Sequence, residues 1–463
     1  MVVASSASTA SSSALREVGC DVYGLIRSSM LAKLENDRKF PCELQLYQAF
    51  LLHLELELWH DEDEPFCRAG RLANIIPRFL LRQARETRSD ATKVPDWGDS
   101  PADLDRKWLA TRFCVYDNQL SMTLGIKTST SFSAYRWPSP QPKSLWLAQS
   151  AVEWRRVYPS HSHEYTPRVT DLLSSLPGIT IAKGFVDRDL TVKLVFHLLG
   201  GLIIDHKSSS QIFARGSIET GPSSVQERER ELKSAIRNFD HAFRNDICAS
   251  NIGSFIVSYL TMTLSVSIED IEILFGRAGY EESKEISQLM ENWVKTAGAR
   301  EAIWNAGQML RLIKYLGRLT SFQVVMAYHA GLVLFAYSVL TRGQGQIPSE
   351  YGLPNAVLNG GEDGGVDAFI QHGLADPTLQ GDFRGTQRMS IPLRDTENLI
   401  DIVCEIILNR TCTCEDISPQ LVNGLVKLLK AKMSSSRLPP AGSLLLYDVD
   451  AELGMVHQWT GVV

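Results

Sequence analysis

The sequence predicts an all-α protein, an irregular multi-helix array or bundle of antiparallel helices. Apolar residues recur at three- and four-residue steps through most segments, strand signals are few, and no tandem repeat appears at a fixed period. The 463 residues allow about three domains. With 44% hydrophobic and 22% charged residues, a sizeable core is available and a wholly disordered chain is excluded.

Met1 to Ala14 is mostly Ser, Ala and Thr, without a signal-peptide core, and residues 1–16 read as a disordered leader or linker. Leu44, Tyr47, Leu51, Leu54 and Leu58 make a seam on a helix from Glu43 to Trp59. The alternation from Leu52 to Leu58 also fits a strand, but length and the lack of β-branched residues favour helix. A second helix runs toward Arg85, kinked at Pro77. After the Pro95–Pro101 loop, Asp99 or Ser100 caps a helix over Ala102 to Leu124, with Pro101 at its first position. Thr128 to Pro142 is irregular.

Lys143 to Tyr158 reads as one helix carrying Leu145, Trp146, Ala148, Val152 and Trp154. Trp146 and Trp154 fall about 80° apart round its axis, so one apolar face shared with Leu145 and Val152 would bury both. Further helices are expected at Thr191–Ile204, Val225–Phe243, Ile252–Leu264, Glu282–Thr296, Arg300–Leu319 and Phe322–Leu340. The last is long enough to cross a bilayer, but Gln323, His329 and Ser338 interrupt it, and a buried core helix is the better reading. Residues 17–343 form the main helical domain on this reading. Residues 344–390, rich in Gly, Pro and Asp, are expected to be a surface excursion with little internal packing. Residues 391–463, with helices at Glu397–Leu408 and Glu415–Met433, close the chain as a helical subdomain and tail.

The chemistry is sparse. The eight cysteines are scattered, several within apolar helices as Cys114 is, which suits buried free thiols. Cys412 and Cys414 have no second pair at zinc spacing. Phosphate-binding, dinucleotide, nucleophile-elbow and zinc-peptidase motifs are all absent. His161, His163 and Glu164 cluster between Pro159 and Pro167, on a loop whose spacing matches no metal-ligand set. His197 and His329 lie on apolar helices; either would serve as a general base if it met a carboxylate in a cleft, and otherwise is a core histidine. Asp240-His241 and the acidic run Asp61 to Glu64 read as solvated surface. Lys and Arg are dispersed: Arg155-Arg156 is isolated, Arg228, Arg230 and Arg237 alternate with glutamates, and the net charge is −6. That disfavours a DNA-reading surface.

Three ordered segments carry a family resemblance. The first is Leu44-Gln45-Leu46-Tyr47-Gln48-Ala49-Phe50-Leu51-Leu52, continuing through Trp59 and Ala69 to Leu80-Leu81-Arg82. The second runs from Trp97 through Arg106-Lys107-Trp108-Leu109-Ala110 and Val115-Tyr116-Asp117-Asn118 to Trp137-Pro138 and Trp146 to Trp154. The third comprises Ala302-Ile303-Trp304-Asn305-Ala306-Gly307-Gln308 and Ala327-Tyr328-His329-Ala330-Gly331-Leu332-Val333-Leu334-Phe335-Ala336-Tyr337-Ser338. Together they resemble the fungal-specific transcription factor domain, or middle homology region, in the branch that accompanies two-Cys, two-His zinc fingers.

The resemblance implies a fungal transcriptional regulator of a metabolic or biosynthetic gene set, located in the nucleus and not an enzyme. It implies no catalytic residue, metal or cofactor, and it assigns no cofactor-binding position. Implied partners are other transcription factors or coregulators, a homo- or heterodimer, and a small-molecule effector, with no membrane. Two departures stand out: Asp103 and Asp105 replace the family's Glu before the basic pair, and residues 1–42 hold only Cys20 and Cys42 and no histidine. The expected finger is therefore missing, and contact with DNA would be indirect or through a separate module. Asp117 is expected to pair with Arg106 or Arg112, and Trp108, Trp146 and Trp154 to fill the core. Two other readings stand beside this one. One is a small-molecule-binding protein or enzyme on an all-helical scaffold, with His197 or His329 in its pocket. The other is an interaction protein that titrates a DNA-binding relative.

Overall fold

The computed structural model describes residues 12–36, 48–54, 100–135, 139–140, 142–157, 168–173, 187–215, 222–243, 250–277, 280–316, 319–342, 354–383, 387–411 and 419–435. About 80% of them are helical, as expected, with one small three-stranded sheet. The chain divides into two units, Met1–Asn245 and Asp246–Val463. Several expectations lie outside the described residues: most of the Glu43–Trp59 helix, the helix toward Arg85, Asp61 to Glu64, His161 to Glu164, and the tail.

In the first unit α1 spans Ser13–Asn36, residues 48–54 are helical, and α2 spans Ser100–Leu124. Three short helices follow: α3 (Lys143–Trp146), α4 (Ala151–Val157) and α5 (Val169–Leu172). The long α6 (Arg188–Arg215) packs on α2, and α7 (Pro222–Phe243) packs on α6. Leu109, Phe113, Tyr116 and Leu120 on α2 and Leu194, Val195, Leu198 and Leu199 on α6 are buried. Gly200 and Gly201 make this contact close: a Cβ at either position would collide with the Met122 or Asn118 side chain. On α7, Leu232, Ile236 and Phe239 form the buried stripe. Its outer face carries the pairs Arg228–Glu231, Arg230–Glu227 and Lys233–Glu229, each worth only a few tenths of a kcal/mol.

The single helix expected over Lys143 to Tyr158 is two helices. Ser150 Oγ accepts the Glu153 N–H at 3.2 Å, which caps a new start for α4, and the Glu153 carboxylate accepts the Gln149 N–H at 3.0 Å. The break changes which side chains share a face. Trp154 is buried at 3% exposure, but Val152 is 80% exposed. The Trp146 side chain lies outside the described set.

The second unit is built around α12 (Ser321–Thr341), whose residues 324–336 are all buried. Thr320 and Gln323 close a capping box at its start, which fixes where the helix begins. Among the described residues α12 is the one straight helix long and apolar enough to cross a membrane, and it is a core helix here, as expected. Around it lie α8 (Ser250–Ser265) and α9 (Ile268–Glu272), the latter running into a π-helical turn at Ile273–Arg277. Next come α10 (Tyr280–Trp293) and α11 (Ala297–Leu312), which tightens into a 3₁₀ turn at Ile313–Tyr315. The remaining described helices are α13 (Gly364–His372), α14 (Thr396–Thr411) and α15 (Pro419–Ser435). The sheet joins β1 (Ala356–Val357), parallel to β2 (Pro377–Phe383), with β3 (Gln387–Pro392) antiparallel to β2 from Thr378↔Pro392 to Phe383↔Gln387.

This sheet and α13 replace the expected surface excursion. Within residues 354–383, Ala356, Leu358, Val366, Phe369, Ala375 and Leu379 are buried. The Gly and Asp residues that suggested a loop serve as caps and points of close approach. Asp363 caps α13 by accepting the Val366 N–H at 2.9 Å, and Gly373 ends it at φ 70°. Arg300 on α11 then donates from Nε to the Ile370 carbonyl at 2.9 Å, at the negative end of α13. Asn359 extends the short β1 edge with its side chain, donating to Gln380 O at 2.7 Å and accepting the Gln380 N–H at 2.8 Å.

Candidate functional site

The first unit holds a buried carboxylate on α2. Asp117, 1% exposed, accepts hydrogen bonds from Ser129 N (3.0 Å), Ser129 Oγ (2.7 Å), Thr130 N (3.0 Å) and Tyr135 Oη (3.4 Å). The expected Asp117–Arg112 pair is therefore not formed. Five residues of helix turn the two side chains about 140° apart, and the Arg112 guanidinium lies over the Trp108 ring at 5.3 Å. The Arg106 side chain lies outside the described set. Burial raises the Asp117 carboxyl, against the opposing pull of its Ser129 and Thr130 hydrogen bonds. Asp117 thus fastens the loop at 129–135 to α2. Cys114, one turn before, is fully buried, and burial pushes its thiol well above the usual range. Burial likewise pushes the Cys404 thiol up to about 11. Both are free, buried thiols, as the sequence implies.

His197 on α6 is 1% exposed and uses both ring nitrogens: Nδ1–H donates to Lys193 O at 2.5 Å, and Nε2 accepts from Gln119 Nε2 at 3.0 Å. Burial, then the charge of Lys193, lowers it to about 3. His329 on α12 is 3% exposed and accepts from Tyr259 Oη at 3.0 Å through Nδ1. Burial lowers it to about 4, with Glu272 pulling the other way. The Glu272 carboxylate instead accepts from Tyr328 Oη at 3.1 Å. The hydrogen bonds described for the two histidines run to a carbonyl, an amide and a phenol hydroxyl. Burial holds each neutral, and its hydrogen bonds fasten one helix to the next, the core-histidine reading for both.

A cleft opens in the second unit where the 313–315 turn, β2 and α14 converge. Its volume is about 230 Å³, and Lys314, Gly381, Ile402, Glu405, Ile406, Asn409 and Arg410 line it. Ile402 and Ile406 are buried, giving an apolar floor. Gly381 belongs there because a Cβ would stand 2.8 Å from the Ile402 side chain. The rim is polar. Asn409 Nδ2 donates to Glu405 Oε1 at 3.4 Å, and Arg410 Nη2 donates to the Leu316 carbonyl.

No family model, curated protein or solved structure matches the chain.

Among the described residues, no group of three or more His, Cys, Asp and Glu assembles that would hold a metal ion. His197 belongs to the first unit and His329 to the second. Sequence reasoning missed the cleft altogether. Lys314, Gly381 and Arg410 are far apart in sequence, and no spacing rule links a helix end, a strand and a distant helix. The Ser150–Glu153 spacing, by contrast, was readable as Ser-x-x-Glu and would have placed the break before α4.

Proposed function

We propose that the chain is the helical regulatory body of a nuclear transcriptional regulator, acting through DNA-bound partners and not by reading DNA itself. The observation that carries this reading is how its buried polar side chains are used. Asp117, His197 and His329 are committed to fastening helices and loops, and the half-buried Glu272 holds Tyr328. The polar groups left facing solvent in a concave place line a cleft suited to binding rather than to proton transfer. The ordered resemblance over residues 44–338 supports the same reading.

The test is to tether the chain to a heterologous DNA-binding module upstream of a reporter. Transcription should change several-fold, up or down, relative to the module alone; an unchanged reporter would sink the proposal. The isolated chain should bind duplex DNA only weakly and without sequence preference, given its net charge of −6. A protected specific footprint at physiological salt would overturn that part. The cleft also favours a second reading, a small-molecule-binding protein without a transcriptional role. A silent reporter combined with saturable ligand binding would select it.

A further inference from the structure

We propose that β3 is an interaction edge for a second copy of this chain, pairing antiparallel with the same strand of that copy about a two-fold axis at Met389. The inference goes beyond the regulatory reading and does not depend on it.

The strand register decides which backbone groups are free. The Leu358 N–H donates to the Thr378 carbonyl, and the Asn359 side chain takes both backbone groups of Gln380, so Thr378 and Gln380 face β1. The Leu393 N–H donates to the Pro377 carbonyl, so the alternate residues of β2 face β3. Ser390 lies opposite Gln380, and Arg388 opposite Asp382. Both therefore turn their N–H and C=O away from β2. No hydrogen bond reaches those four groups among the described residues, and Ser390 is exposed. The edge stops at Pro392, which has no N–H and whose carbonyl accepts from Asp395 N at 2.9 Å. The other edge of the sheet offers no such row. There β1 is two residues long, and its Val357 carbonyl is taken by the Gly360 N–H at 3.0 Å.

An open strand edge is a template for another strand. A two-fold axis at Met389 sets Arg388 of each copy against Ser390 of the other, and the resulting four hydrogen bonds use every free group on both edges. Moving the axis to Ser390 would set Arg388 against Pro392, which has no donor to give. This self-matching register is what selects a second copy. A contact confined to two six-residue strands falls below the roughly 1,000 Å² of a lasting interface, so the pair is transient.

The full chain would be followed by sedimentation velocity from about 5 to about 500 µM, where a small interface begins to associate. Its weight-average mass should rise from one chain toward two. Ser390→Pro and Arg388→Pro each remove an outward donor without touching the β2–β3 ladder, and proline is tolerated at such edge positions. Far-UV spectra of both variants should match the parent, while association falls about tenfold or more. Ser390→Thr should associate like the parent. Met389→Cys gives an independent reading. The axis puts the two Cα atoms at a non-hydrogen-bonded pair about 4.5 Å apart, within disulfide reach. Mild oxidation should then yield a linked dimer that neither the parent nor Gln380→Cys gives. A chain that stays monomeric across the range overturns the proposal, as does association that survives both proline variants. If those variants unfold, a Met389→Cys chain that remains unlinked overturns it instead.

Discussion

Burial strips the proton from both histidines that sit on apolar helices, and this has a measurable sign. His329 is lowered from an ordinary 6.5 to about 4. Its neutral form is the one the fold accepts, so the stability it contributes is fully present above pH 6.5. That stability is lost as pH falls from there toward 4. By pH 4.5 the loss from this side chain should reach about 2–3 kcal/mol. A His329→Gln variant, whose amide oxygen can still accept from Tyr259, should show a flatter stability profile between pH 7 and 4.5 in denaturant melts. An equally steep profile would contradict the assignment. Trp154 and Val152 test packing two residues apart. Trp154→Ala should cost roughly 3–5 kcal/mol because the ring is 3% exposed. Val152→Ala, at 80% exposure, should stay within about 0.5 kcal/mol. Similar thermal melts for the two variants would place Trp154 on a binding surface instead of in the core.

Elements meet closely where glycine permits. On α11, Gly307 faces the Leu358 carbonyl so tightly that a Cβ would stand 2.5 Å from its oxygen. Gln308 beside it donates to the same carbonyl at 2.7 Å. Backbone cannot step aside as a flexible side chain can, so Gly307→Ala should destabilise the second unit by about 1–3 kcal/mol. Gly361→Ala, with nothing within 4 Å of the added methyl, should be close to neutral. Urea melts of the pair would decide it, and equal midpoints would show that α11 and the 354–383 segment do not dock as described. The break before α4 is likewise local, where the Ser150 hydroxyl caps a new helix start.

At the scale of the whole molecule, the division at Asn245–Asp246 implies that each unit holds its own core. Expressed alone, residues 246–463 should give a helix-dominated far-UV spectrum and a cooperative thermal transition, because α12 and its neighbours supply an apolar interior within that unit. A broad, non-cooperative melt would show that the second unit depends on the first.

The sequence by itself determined the helical class, the core character of α12 and the inert thiols of Cys114 and Cys404. Each depends on a pattern within one segment, since a side chain's period and its apolar neighbours are written within a few turns of chain. Only the tertiary structure decided the rest. It turned a Gly- and Asp-rich stretch into a helix and a hairpin, gave Asp117 a loop to hold in place of an arginine, and buried two histidines deeply enough to keep them neutral. It also brought Lys314, Gly381 and Arg410 to one cleft. The physical reason is common to all of them. Glycine and aspartate have different roles in a loop, a cap and a close contact, and a titratable group takes its character from neighbours supplied by chain closure. Those neighbours lie tens of residues away, beyond the reach of local periodicity.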